Sequence, residues 1–249
     1  MPLAALVLIA ILLAPIQSGL AQSFSESDAR AFVALRASHL GALTPLMTPA
    51  MIGRQLNGAQ LGLRYGLLDE DNLRTQSVAG SGIFALGLRS TVTLTAGVTD
   101  GDCANCSPAL LLGLGADARV YEGGDPLGTG TSLSLALSGD VGYAQLKPGD
   151  DAALALGVGM PVTLSLATGG RDGMHVVPFF TPMFGIGSTN EPCGALIVDC
   201  DRSGTRWVLG GGLGIWNPMT SISASIGVNQ VLLSGAKPVF GVNVILGGR

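Results

Sequence analysis

The sequence predicts an all-β fold, an antiparallel up-and-down barrel of about ten strands that spans a membrane and follows a short N-terminal helix. Three observations carry that expectation. Charged residues make up only 12% of the 249 and the mean hydropathy is +0.49, against the roughly 25% charge of an ordinary soluble domain. Yet after residue 22 no apolar run approaches the roughly 20 residues that a helical span needs. From residue 56 onward the apolar residues fall instead on alternate positions, the period of a strand with two different faces.

The first 21 residues read as an export signal. Leu3 to Leu13 form a short apolar core, Pro15 breaks it, and Gly19-Leu20-Ala21 supplies small residues at the cleavage positions. No Lys or Arg precedes the core. Residues 22–55 are expected to form a separate N-terminal periplasmic segment, lying free there or packed against the barrel mouth. Ser25 and Asp28 have the spacing of a capping box, and Phe32, Leu35, Arg36 and His39 follow within the next turns. Pro45 and Pro49 end this short helix.

The barrel domain covers 56–249. Its strands are expected at about 56–66, 77–87, 90–99, 108–121, 130–145, 152–167, 174–187, 204–216, 220–230 and 237–247. In 131–143, Leu133, Leu135, Leu137, Val141 and Tyr143 alternate with Ser132, Ser134, Ser138 and Asp140. The stretch 152–167 contains Met160-Pro161, but its alternation runs on through the proline, so it is read as one strand and not a hairpin. The stretch 174–187 is kept whole despite Pro178 and Pro182, with bulges expected there. Ten strands put both ends of the barrel on one side. Arg89-Ser90 and Asn217-Pro218-Met219 then become short turns on that side, and 188–203 the longest loop on the other.

The composition of the two faces places the barrel in a lipid bilayer. A sheet exposed to water normally carries Lys, Glu, Arg and Asp. Here the non-aliphatic face carries Gly, Ser, Thr and Ala, as in Arg206, Val208, Gly210, Gly212 and Gly214. Small residues suit a confined interior, and the Leu, Val and Ile face suits acyl chains. Tyr65, Tyr143, Trp207 and Phe240 have outward parity near the loop end of their strands, where an interfacial girdle belongs.

On these features residues 56–247 resemble the small bacterial outer-membrane β-barrel superfamily, the group of OmpA-like, OmpX-like and opacity-type barrels. The resemblance is architectural and is not carried by a motif. It implies location in the bacterial outer membrane, contact with outer-membrane lipid and lipopolysaccharide, and insertion by the barrel-assembly machinery. Barrels of that kind end in an aromatic residue, whereas here the last residues are Val244-Ile245-Leu246-Gly247-Gly248-Arg249.

Five charged residues have inward parity: Arg64, Asp117, Arg119, Asp140 and Arg206. They either pair with one another, since an interior charge is costly unless matched, or line a narrow polar path that selects ions or small solutes. Cys103 and Cys106 fall in one expected outer loop and Cys193 and Cys200 in another. In an exported chain this even count points to disulfides. Within-loop pairing is favoured among three connectivities, and the second pair is too widely spaced for a zinc ribbon. Acidic residues gather at the same end, among them Asp69, Glu70, Asp71, Asp100, Asp102, Asp150 and Asp151, and read as a solvated loop surface.

A net charge of −4 with no basic patch argues against nucleic acid. No metal or cofactor is implied, and nothing specifies a surface ligand. His39 precedes the barrel and His175 falls near the end away from the long loops, so no catalytic residues are assigned and no enzyme is expected. The expected role is structural or interactive at the cell envelope. A small porin-like channel and a secreted lipid-binding barrel are the alternatives.

Overall fold

The computed structural model describes residues 59–70, 73–87, 89–101, 108–124, 131–145, 152–168, 173–190, 201–217, 219–220, 222–232 and 238–247. The export signal, the N-terminal helix and the four cysteines lie outside the described residues. Eleven strands run in chain order: β1 (Ala59–Glu70), β2 (Leu73–Ala85), β3 (Ser90–Gly101), β4 (Ala109–Gly123), β5 (Thr131–Gln145), β6 (Ala152–Gly159), β7 (Val162–Thr168), β8 (Met174–Asn190), β9 (Asp201–Asn217), β10 (Ile222–Val231) and β11 (Val239–Gly247). Every neighbouring pair is antiparallel, and β11 returns to pair with β1, which closes the sheet into a barrel.

The barrel has ten staves because β6 and β7 are two halves of one. Both pair with β5 on one side and β8 on the other, and the register across the joint is unbroken. Pro161 has no N–H and interrupts the ladder there, while the carbonyl oxygens around it keep their donors. Ala136 N donates to Pro161 O at 3.0 Å and Met160 N to Pro182 O at 3.0 Å.

Stepping through the registers around the ring offsets its start and finish by about twelve residues, the shear of the barrel. With strands about 4.8 Å apart and a rise of about 3.3 Å per residue, ten staves and that shear tilt the strands by about 40°. The same spacings make the backbone cylinder about 20 Å across. That is wide enough for side chains from opposite walls to meet and too narrow to leave a broad unfilled bore.

The faces separate cleanly. Leu61 and Leu63 on β1 are 69% and 61% exposed, whereas Arg64 between Leu63 and Tyr65 is 3% exposed. On β11 burial alternates residue by residue from Val239 to Leu246. Outward aliphatics cover the exterior from Leu94 and Val98 on β3, through Leu112 and Leu114 on β4, to Leu213 and Ile215 on β9. Tyr65, Trp207 and Phe240 lie on the outer face, and Trp207 meets Phe184 edge-on at 5.3 Å. At the opposite end, where β1 begins and β11 finishes, exposed Phe84 and Tyr121 form a second set of outward aromatics.

Two local expectations are corrected. The bulges expected at Pro178 and Pro182 are not there, since β8 keeps one register against β9 from His175 to Asn190. Each proline forgoes a donor without inserting a residue. The register shift lies instead between Arg119 and Tyr121 on β4, so an extra residue turns Tyr121 outward and brings Glu122 round to the inner face. The strands also run further than hydrophobicity alone indicates. Pairing of β1 with β2 continues to Glu70 opposite Leu73, leaving only Asp71 and Asn72 between them. Likewise β8 and β9 pair out to Asn190 opposite Asp201. Ladder hydrogen bonds persist beyond the apolar band, where polar residues replace aliphatic ones.

The short turns have local causes. Gly87 adopts φ 121°, a conformation open to glycine, and Leu86 N donates to Ser90 O at 2.9 Å to close the β2–β3 turn. After β9, Asn217 Oδ1 accepts from the N–H of Met219 at 2.9 Å and of Thr220 at 3.3 Å, the side chain standing in for a backbone turn.

Candidate functional site

The chemistry-bearing side chains collect inside the barrel, where two walls differ in character. The first runs over β1 to β5. Arg64 is opposite Ala79 on β2 and Asn243 on β11, so its long side chain rises over smaller neighbours. Asp140 on β5 faces Gly115 on β4 and Gly157 on β6. A Cβ at Gly115 would stand 2.6 Å from Asp140 Oδ1, so glycine here makes room for a carboxylate laid across the strand. Asp117 is opposite Thr91 and accepts from its hydroxyl at 3.4 Å. Asp140 and Asp117 are the carboxylates whose charges act on Arg64. One cation and two carboxylates from three strands thus converge in the interior, among the buried hydroxyls of Thr91, Thr93 and Thr95.

The other two interior charges of the sequence reading stand apart. Arg119 sits toward the terminal end, where its guanidinium reaches Glu122 at 3.4 Å. Sequence parity alone misses this contact, because it depends on the extra residue at the bulge. Arg206 is opposite Gly185 on β8, and its side chain lies outside the described residues, as do the acidic loop residues other than Asp100, which is exposed.

The second wall is formed by β7, β8 and β9. Val177 and Phe179 pack together with Trp216 alongside. The Phe179 ring lies over its register partner Gly212, whose absent Cβ would meet that ring at 2.7 Å. Met183 and Ser138 cover Gly159 in the same manner, each at 2.8 Å. His175 lies 4.7 Å from Trp216 between ring centroids, tilted by 39°, and its Nδ1 is 2.9 Å from Ser165 Oγ. Sequence reasoning left His175 without a neighbour. The missed signal was that Ser165 and His175 both have inward parity on strands joined by one short connection.

In nucleophilic sites a base beside a serine is typically oriented by a third group. Here His175 Nε2 is buried without a partner among the described residues, and Trp216 lies against the ring.

The interior is filled. Ile83, Leu111, Val177, Val208 and Ile245 all point inward and are at most 1% exposed. Ser134 and Thr163 hydrogen-bond across the β5–β7 pair.

No family model matches this sequence, and no curated protein does either. Among solved structures, the chain is similar to the translocator domain of the autotransporter NalP from Neisseria meningitidis. That likeness has 13% identity over 89% of this chain and 97% of that one, with a TM-score of 0.46. It is also similar to the transport unit of the autotransporter AIDA-I from Escherichia coli, at 11% identity over 92% of this chain and 100% of that one, with a TM-score of 0.31.

Proposed function

We propose that the chain is an integral protein of the bacterial outer membrane, of the small-barrel type, with a structural or surface-interaction role at the envelope. One observation carries the reading: the barrel is inside out relative to a soluble one. Its outer face exposes Leu, Val, Ile and aromatic side chains continuously from strand to strand, while threonine, serine, asparagine and charged groups are buried within. In water such an apolar surface would far exceed the few hundred Å² that a soluble monomer tolerates; in hydrocarbon it is the expected exterior. A secreted lipid-binding barrel would show the reverse distribution. Lipopolysaccharide and phospholipid are then the immediate neighbours, with the barrel-assembly machinery as the route of insertion.

The filled lumen favours a structural role over an open pore. Folding into detergent or vesicles should give a heat-modifiable band on gels, and the mature chain in plain buffer should aggregate. A folded, monomeric protein in buffer without detergent would reject the membrane assignment. A narrow channel is the second reading, favoured by the Arg64, Asp117 and Asp140 constriction. Planar-bilayer recording separates the two, since steady salt-dependent pores would displace the structural role.

A further inference from the structure

The prolines of the described strands are confined to one patch of the wall. Met160 and Pro182 form a hydrogen-bonded pair in which Met160 N donates and Pro182, lacking N–H, returns nothing. Two pairs along the same seam, the equivalent position is Leu164 opposite Pro178, and the pairing of β7 with β8 lapses there. On the neighbouring seam Pro161 accepts from Ala136 and likewise returns nothing. Three ladder donors are therefore missing within a few residues of one another, on adjacent staves of the barrel. Strands part most readily where fewest bonds hold them.

The seam opens outward beside exposed Met160, with exposed Phe184 and Ile186 just beyond it where β8 pairs with β6. Inward it opens onto the apolar wall of Val177, Phe179 and Met183. Behind Phe179 the register aligns Gly212, Gly227, Gly241 and Gly66 across β9, β10, β11 and β1. Glycine at all four positions leaves the inner wall without side chains of its own across four strands, about 15 Å at the usual strand spacing, and the Phe179 ring stands over the near end of that track at Gly212. Within the same seam Thr181 Oγ1 is turned inward, 5% exposed and with no partner among the described residues.

We propose that the β7–β8 seam is a lateral portal through which one acyl chain of a bilayer lipid passes into the barrel, along the glycine track, with Phe179 and Met183 as the side chains that move. The occupant is hydrocarbon because the seam faces only the apolar exterior, and Thr181 offers a donor to the ester oxygen. Pro182 is the middle residue of β8 and Pro178 lies four residues nearer its Met174 end, so the weakened stretch runs from mid-strand toward the short turns, the side of the periplasmic leaflet, and the lipid is a phospholipid. The portal rests on the membrane-spanning reading above.

The two tryptophans make both separately testable, since Trp207 faces outward and Trp216 inward. The protein is reconstituted in phosphatidylcholine vesicles with or without dibrominated acyl chains, as the W207F and W216F variants. In W207F the remaining Trp216 should lose emission about twofold in brominated vesicles, as expected of a groove occupied about half the time. Restoring the donors with P178A/P182A, or P178A alone, should return most of that emission. No quenching of Trp216, or quenching unchanged by the proline replacements, overturns the portal. Failure of the outward Trp207 to be quenched in W216F overturns the membrane-spanning reading instead. Heat-modifiable migration of each variant confirms that it is folded before it is read.

Discussion

The two inner walls solve the same problem by opposite means. On β1 to β5, charges and hydroxyls stand among the buried Ile83 and Leu111, and glycine appears where a carboxylate must cross a strand, as Gly115 does beneath Asp140. On β7 to β9, rings and a thioether fill it, and glycine lies under the Phe179 ring and beside Met183. Removing one charge from the first wall orphans the others and should weaken it abruptly, whereas the second, held by contact area beside a depleted ladder, should yield by degrees.

The largest expected effect comes from breaking the polar wall. Arg64→Met leaves Asp117 and Asp140 together without their cation, and should cost about 3–5 kcal/mol, the usual penalty for orphaning a buried charge. Urea unfolding in detergent micelles reads it. Adding D117N and D140N should recover most of the loss, and no recovery would mean that Arg64 acts through packing alone. On the apolar wall, F179A removes a ring over Gly212 and should cost about 3 kcal/mol by the same assay, at the lower end for aromatic truncations. A much smaller loss would show that the wall collapses into the space.

Restoring donors sharpens the contrast from the other side. P178A/P182A should stabilise the barrel by about 1–2 kcal/mol if both new N–H groups find the carbonyls opposite them. Amide exchange at Met160 to Leu164 should slow in parallel. The smallest effect belongs to the bulge. Glu122 is 44% exposed, so E122Q should change stability by less than about 1 kcal/mol. A larger loss would mean that the Arg119–Glu122 contact is what holds the extra residue in place.

Much of this architecture is legible in the amino-acid order because a period of two is a direct record of which side each residue faces. The unbroken parity of Leu154, Leu156, Val158, Met160, Val162 and Leu164 was enough to keep one stave across Pro161. What parity cannot record is an insertion of one residue, and so the shift after Arg119 and the inward turn of Glu122 were lost. Nor does it record pairing partners along the diagonal, which is how Ser165 meets His175. Strand ends were misjudged at Glu70 and Asp201 for a different reason: hydrophobicity reports where the apolar band stops, while hydrogen bonding decides where the strand does. The convergence of Arg64 with Asp117 and Asp140 was legible only as shared parity, because depth within the barrel depends on the shear.

Pairing of β1 with β11 has a consequence for biogenesis. The first stave finds its second neighbour only when the last one arrives, nearly the whole length of the barrel domain later. Until then every intermediate carries two unsatisfied edges, each able to recruit a foreign strand, and the contact that removes them is among the most distant in sequence and the slowest to form. Deleting the final nine residues of β11 would thus do more than shorten the barrel: it would leave an open ribbon prone to polymerise, however sound the other staves.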